Sequence, residues 1–296
     1  MDDLSIKPLP QNRFLRGAYL MLQRYLRHNV GIQSAALAFY LLFTMFPLMI
    51  FFNALLGVLH LNITGMFADA VEFLPKVVID FMNTYLNYVG ESPSLRLVWF
   101  GLFFSIYFPM RATNSLMRAV RTAYHLGPPQ GAVRHLLKTL LYTVFLILTI
   151  VLTLILLTVG NLILTYATEN FGLPQLAADL WKWLRFPVMA LLMFFALALL
   201  YALTQDRKQP RKNIYPGVLA SLIAWMVLSL VFSFYVENIA GYSLIYGSIG
   251  TLIALLVWLY MSSASLIMGA ELNGTLMSMR KEGVPGSYPA EQRAVL

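Results

Sequence analysis

Charged side chains are scarce in this chain, and the few that border its apolar stretches are where chemistry must be sought. Glu271 lies on the last turn of the apolar run Ile249–Met268, with Asn273 two residues on. A carboxylate held in hydrocarbon costs at least about 3 kcal/mol, so Glu271 must pair, take a proton or reach the interface. Either it bonds a neighbouring helix end or a basic residue such as Arg111, or it takes a direct part in transport. Glu237 ends the preceding apolar stretch, beside a Gly/Tyr-rich connection that includes Tyr246. It reads equally as a solvated loop acid or as a gate or proton-linked site. Arg111 and Arg118 fall two turns apart on one helical face with Asn114 close to their line. A guanidinium fork fits phosphate oxygens, so this line is a candidate head-group site, while anchoring of the basic side is the plainer reading.

Other chemistries lack their residues. The four histidines, His28, His60, His125 and His135, form no H-x-H or Asp–His pair and have no carboxylate beside them, so a metal-dependent nuclease has no ligand set. There is no P-loop and no G-x-S-x-G, and with no cysteine, disulfides, thiolate catalysis and zinc–thiolate sites are excluded. No catalytic residue, metal or cofactor is expected.

The elements that must position these groups are helices in a bilayer. The chain has 296 residues, of which 59% are hydrophobic and 11% charged, and its mean hydropathy is +0.70. Soluble domains carry about a quarter charged residues, so this much apolar surface needs a membrane. The pattern predicts an all-α polytopic protein with six transmembrane helices, at about 34–60, 95–115, 140–164, 186–203, 217–236 and 249–271. They form one membrane domain over 12–278, between a flexible lead (1–11) and a flexible tail (279–296). No cleavable signal is evident, so the first span is expected to serve as its own insertion signal.

Amphipathic segments complete the architecture. Phe14, Leu15, Ala18, Met21, Leu22, Tyr25 and Leu26 share one helical side, with Arg13, Arg16, Arg24 and Arg27 elsewhere, as in a helix lying among lipid head groups. Leu74, Val77, Val78, Phe81, Met82, Tyr85 and Leu86 make a similar stripe within an expected outer hairpin, Leu61–Pro93. Tyr166–Lys182 is a second outer segment, and Trp183 joins Trp181 as an interfacial pair. Pro187 falls in the first turn of the fourth span, and Pro216 opens the fifth. The short connection Glu237–Gly247 makes the last two spans an antiparallel hairpin. Pro47, Pro109 and the pair Gly247/Gly250, in a loop Tyr246–Gly250, are the expected points of bent or irregular backbone. On the last span, Ser262, Ser265, Gly269 and Asn273 form a small-residue face, better suited to an interhelical seam than to a substrate path.

Charge sets the orientation. Six spans put both termini on one side, and that side holds 17 of the 21 Lys and Arg residues. The termini are therefore expected in the cytoplasm, and the excess of cations needs no nucleic acid to explain it.

Ala35-Ala-Leu-Ala-Phe-Tyr40 leading to Phe46-Pro47, and Tyr246-Gly-Ser-Ile-Gly250 running on through Leu-Tyr260 to Gly269-Ala-Glu-Leu-Asn273, resemble the YihY/BrkB family of bacterial inner-membrane proteins. The resemblance covers about residues 14–278. It implies six helical spans in a bacterial cytoplasmic membrane. It implies little about activity: the family has carried ribonuclease and virulence-factor labels, and proposals for it lean toward handling envelope lipids.

Two functions follow as expectations. One is a transporter or exporter of a lipid or other amphiphile, with Arg111, Asn114, Arg118, Glu237, Tyr246, Glu271 and Asn273 as its polar groups and membrane lipids as its partners. The other is a non-transporting anchor or scaffold that binds an envelope protein. The first requires a cavity among the spans and the second a closed interior. Substrate, coupling and oligomeric state are not encoded in any motif.

Overall fold

A computed structural model describes residues 13–58, 95–127, 129, 131–171, 175–205, 214–238 and 242–282. The described elements are all helices: α1 (Arg13–Arg27), α2 (Val30–Val58), α3 (Leu95–Ala123), α4 (Ala132–Phe171), α5 (Gln175–Thr204), α6 (Tyr215–Asn238) and α7 (Tyr242–Glu282). The six expected spans correspond to α2–α7. Five of these hold an apolar run long enough to cross a membrane, at Val30–Leu48, Ala132–Ile150, Pro187–Thr204, Tyr215–Val236 and Leu252–Met279. The sixth, α3, has 29 residues and is long enough, but it carries Arg96, Arg111, Arg118 and Arg121. The protein is a polytopic helical membrane protein.

The helices show apolar side chains to their surroundings. On α6, Leu219, Ile223, Met226, Leu230 and Phe234 recur at helical spacing and are all exposed, which is the face a lipid-facing helix presents. The interior is built from small and aromatic residues. Ala112, Ala119, Val120 and Ala123 of α3 meet Leu197, Leu200 and Tyr201 of α5, Val218 of α6, and Ile267 and Ala270 of α7 in one cluster. A second cluster joins Ala38 and Leu42 of α2 to Phe232 of α6 and to Ala254, Leu255 and Leu259 of α7. As expected, α6 and α7 pack along each other, and α2 lies along α3, where a side chain on Gly101 would collide with the backbone of Phe51.

Two helix ends are closed by tight turns. Only His28 and Asn29 separate α1 from α2, and Asn29 takes a left-handed conformation (φ 50°), one that Asn tolerates better than most residues. His125 (φ 53°) closes α3, with the Leu126 N–H bonded to the Arg121 carbonyl in a Schellman-type end. These two turns bring the His28 and His125 rings edge to face, with centroids 5.5 Å apart.

Several sequence expectations need correction. The Gly/Tyr stretch Tyr246–Gly250 is no loop: α7 runs unbroken from Tyr242, because two glycines cost only about 1 kcal/mol each, which packing overrides. Gly247 thus sits inside a helix, and Gly250 is buried there. Pro47 and Pro109 lie buried inside α2 and α3, where each removes one helical hydrogen bond, so they keep their place as the expected bend points. Pro187 is interior to α5, which begins 12 residues earlier at Gln175, and α4 persists to Phe171, so most of the expected outer segment Tyr166–Lys182 is helix. α7 extends to Glu282, beyond the expected domain boundary at 278. The outer hairpin Leu61–Pro93, the lead 1–11 and the tail beyond 282 lie outside the described residues.

Candidate functional site

The most polar interior region lies where α1, α3 and α7 meet. Glu271 is 1% exposed, and both of its oxygens are engaged by α1 or the turn after it. Arg24 Nη1 donates to Oε2 at 3.4 Å, and His28 Nδ1 lies 2.6 Å from Oε1. A carboxylate accepts, so the His28 tautomer that fits carries its proton on Nδ1. Arg24 also ties three helices together. Its Nη1 donates to the Ala123 carbonyl at the end of α3 (3.1 Å), and its Nη2 to the Gly274 carbonyl (3.4 Å) and Ser278 Oγ (2.7 Å) of α7. A buried charge in this setting is tolerated only when paired, and removing one partner costs about 3–5 kcal/mol.

The way α1 reaches this site corrects the expectation of a helix with all its arginines among lipid head groups. Gly17, Met21, Arg24 and His28 fall on one helical line and face α7: Gly17 approaches Met279, Met21 accepts from Thr275 Oγ1 at 3.4 Å, and Arg24 meets Glu271. The apolar residues Leu15, Tyr19, Leu22 and Leu26 point away and are exposed. The helix therefore turns Met21 and Arg24 inward and Leu15, Tyr19, Leu22 and Leu26 outward.

Two residues further along α7, Asn273 is fully buried and fully used. Its Oδ1 accepts from the Gly217 N–H at the start of α6 (2.7 Å), and its Nδ2 donates to the Ile214 carbonyl (2.8 Å) and the Tyr124 hydroxyl (3.0 Å). Beside it, Gly217 and Gly269 touch so closely that a methyl group on Gly269 would overlap Ser221 Oγ and the Gly217 carbonyl. Ser221 Oγ donates to the Ser265 carbonyl at 3.2 Å, and Tyr201 donates to the Leu266 carbonyl. The small-residue face of α7 is thus a closed seam against α6.

Arg111 takes no part in this cluster. It is exposed, bonding the Tyr40 hydroxyl at 3.5 Å with its guanidinium 5.6 Å from that ring's centroid, so Glu271 has its cations on α1 and not on α3. Asn114 Oδ1 accepts from His135 Nε2 at 2.8 Å, across to α4, and Arg118 is exposed. Arg111 therefore stands apart at Tyr40, while Asn114 reaches His135. Glu237 ends α6 and Tyr246 lies in the first turns of α7, and their side chains are outside what is described.

Sequence reasoning missed Arg24, His28, His125, Tyr124 and Tyr201. Only the i, i+4, i+7, i+11 line Gly17–Met21–Arg24–His28 could have singled out Arg24 among four arginines. His125 stands beside the cluster, and its pKa is lowered, first by burial and then by the charge of Arg24 and by His28. Among the described residues no hydroxyl is bonded to the free nitrogen of His28, so the imidazole–carboxylate pair lacks the nucleophile of a hydrolytic triad. No group of three or more metal-ligating side chains occurs among them either.

A second polar region faces outward at the same end of the bundle. A cleft of about 60 Å³ lies between the end of α3, the start of α4 and the end of α5, lined by Met117, Arg121, Arg134, His135, Lys138 and Thr204, with Pro129 and Leu203 at its edge. Arg121 is buried, donating to the carbonyls of Gly127 and, at 3.2 Å, Thr204.

This architecture has relatives. The family described as virulence factor BrkB matches residues 21–293. The chain belongs to that family. It is 27% identical over 261 residues to a putative ribonuclease-like protein, YfkH, of Bacillus subtilis, covering 88% of this chain and 95% of that one. It is also 29% identical over 133 residues to a UPF0761 membrane protein of Xanthomonas campestris, covering 42% of this chain and 31% of that one. No solved structure matches the chain.

Proposed function

We propose that this BrkB-family protein transports a lipid or other amphiphile in the bacterial cytoplasmic membrane, with both termini in the cytoplasm, and that it carries out no chemical step. The observation that supports this reading is the fastening of Glu271, buried in the last apolar helix, by Arg24 and His28 from a helix whose other face is apolar and exposed. A helix that is held to the bundle mainly by polar contacts, with Tyr25 as its contact to the core, can leave it at small cost in buried apolar surface. The Glu271 cluster then acts as the closed cytoplasmic gate, which opens when α1 moves with the lipid around it. The concentration of Lys and Arg at the end bearing the termini favours the orientation.

Reconstitution tests the proposal. Vesicles containing the protein should move a tail-labelled phospholipid between leaflets faster than protein-free vesicles, and Glu271→Gln, compared at equal folded fraction, should change that rate. Equal rates with and without protein, for anionic and zwitterionic lipids alike, would overturn it. The second reading, an envelope scaffold, draws on the α6/α7 seam, which is closed along Gly217, Ser221, Ser265 and Gly269. That reading predicts a stoichiometric protein partner and no lipid movement.

A further inference from the structure

The outward cleft is built against the ordinary electrostatic rules for a helix end. α4 starts at Ala132 after Gly131, whose positive φ (79°) makes the turn, and no acidic residue stands in its first turn. The N-terminal end of a helix carries partial positive charge and favours anions. Here the first turns instead carry Arg134, His135 and Lys138, and a third full cation, Arg121, is fixed in the facing wall.

Arg134 and Lys138 are i and i+4 on α4 and line the same cleft, so they stand over one space. No carboxylate of the described residues lines it, and the sequence holds no Asp or Glu between Glu91 and Glu169. In the sequence after Gln205, residues 206–213 contain one acid, Asp206, against Arg207, Lys208, Arg211 and Lys212. His135 is pinned through Nε2 to Asn114, so the wall between Arg121 and Arg134 is held in place by a polar contact.

A solvated anchoring face would leave its cations splayed on a convex surface. This arrangement is concave: one guanidinium is buried and fixed by backbone carbonyls, and the space has room for a few waters or one tetrahedral oxyanion.

We propose that the cleft between α3, α4 and α5 binds a phosphate group, gripped by Arg134 and Lys138 with Arg121 as the fixed positive wall. The shared chemistry is a phosphate carrying at least one negative charge, whether on a lipid head group or free in solution. The site stands under either reading of the protein's function, since a transporter and a scaffold can each hold a phosphate here.

Full-length protein in lipid nanodiscs provides the test. Binding is read by native mass spectrometry for phosphatidylglycerol against phosphatidylcholine, and by calorimetric titration with inorganic phosphate in phosphatidylcholine discs at fixed ionic strength. The expected result is retention of phosphatidylglycerol, saturable uptake of inorganic phosphate, or both; the first alone assigns the site to a lipid and the second alone to a soluble anion. Arg134→Gln and Lys138→Gln should each weaken that binding about tenfold, since each removes a charged hydrogen-bond donor. Arg118→Gln, which removes the same charge from an exposed position outside the cleft, should change it less than twofold. Absence of binding in both arms, or equal weakening by all three substitutions, would overturn the proposal. Asp206→Asn separates occupancy by that side chain from a foreign anion: if it produces binding that the unchanged protein lacks, the cleft is filled from within and the proposal fails.

Discussion

Around Glu271 the buried charges answer one another: Arg24 pairs with the carboxylate, His28 donates to its other oxygen, and the remaining donors of Arg24 reach a carbonyl of α3 and two oxygens of α7. Around Arg134, a few turns away on the other side of α3, three full cations line a space that no described carboxylate enters. Both regions are made from basic residues at the same end of the bundle. The first is buried and answered within the chain, which is what a fastening needs. The second is open and lined by cations alone among its charged groups, which is what an anion site needs. Identical residue types therefore stand in two settings, and among the described residues the difference lies in whether a carboxylate lines the space.

Substitutions should separate the two regions most sharply at Glu271. Glu271→Gln leaves Arg24 buried without its anion and should cost about 3–5 kcal/mol, read as a loss of thermal stability in native-lipid particles. Next comes the seam that places α7. Gly269→Ala drives a methyl group into Ser221 and the Gly217 carbonyl, and should cost about 1–3 kcal/mol by the same measurement.

Acid should loosen the fastened region. The pKa of His125 is lowered in the folded protein, so below about pH 6.5 the unfolded chain takes up a proton that the folded chain resists. Stability should fall as pH drops through that value and be unaffected by His125 above it. His125→Gln should flatten this acid limb in unfolding curves taken from pH 8 to pH 5. The smallest effect belongs to the open region: Arg134→Gln should leave stability within about 0.5 kcal/mol of the unchanged protein, because no partner loses its charge. A large loss there would mean that the cleft is a second fastening, and the contrast between the regions would disappear.

Much of the scaffold was legible in the sequence because bilayers enforce long apolar helices. The all-helical architecture, the five long apolar runs, the α6/α7 hairpin and the small-residue face of α7 follow from apolar run length and helical spacing. That Glu271 must find a partner followed from the cost of its charge. Which partner it finds did not, since Arg24 lies 247 residues away and the amphipathic pattern of α1 does not distinguish it from Arg13, Arg16 or Arg27. Glycine misled at Tyr246–Gly250, where the local cost of two glycines is outweighed by the surroundings of a long membrane helix. The cleft was invisible for a different reason. Arg121 and Arg134 belong to separate helices, and the turn at Gly131 that opposes them shows only in three dimensions.

A double-mutant cycle on Arg24→Met and Glu271→Leu, followed by thermal unfolding in native-lipid particles, tests most directly whether α1 is fastened to the last span through this pair. Each single change should be strongly destabilising and the double change should recover much of the loss, giving a coupling of at least about 1.5 kcal/mol. Losses that add to within about 0.5 kcal/mol would contradict it, since independent sites behave that way.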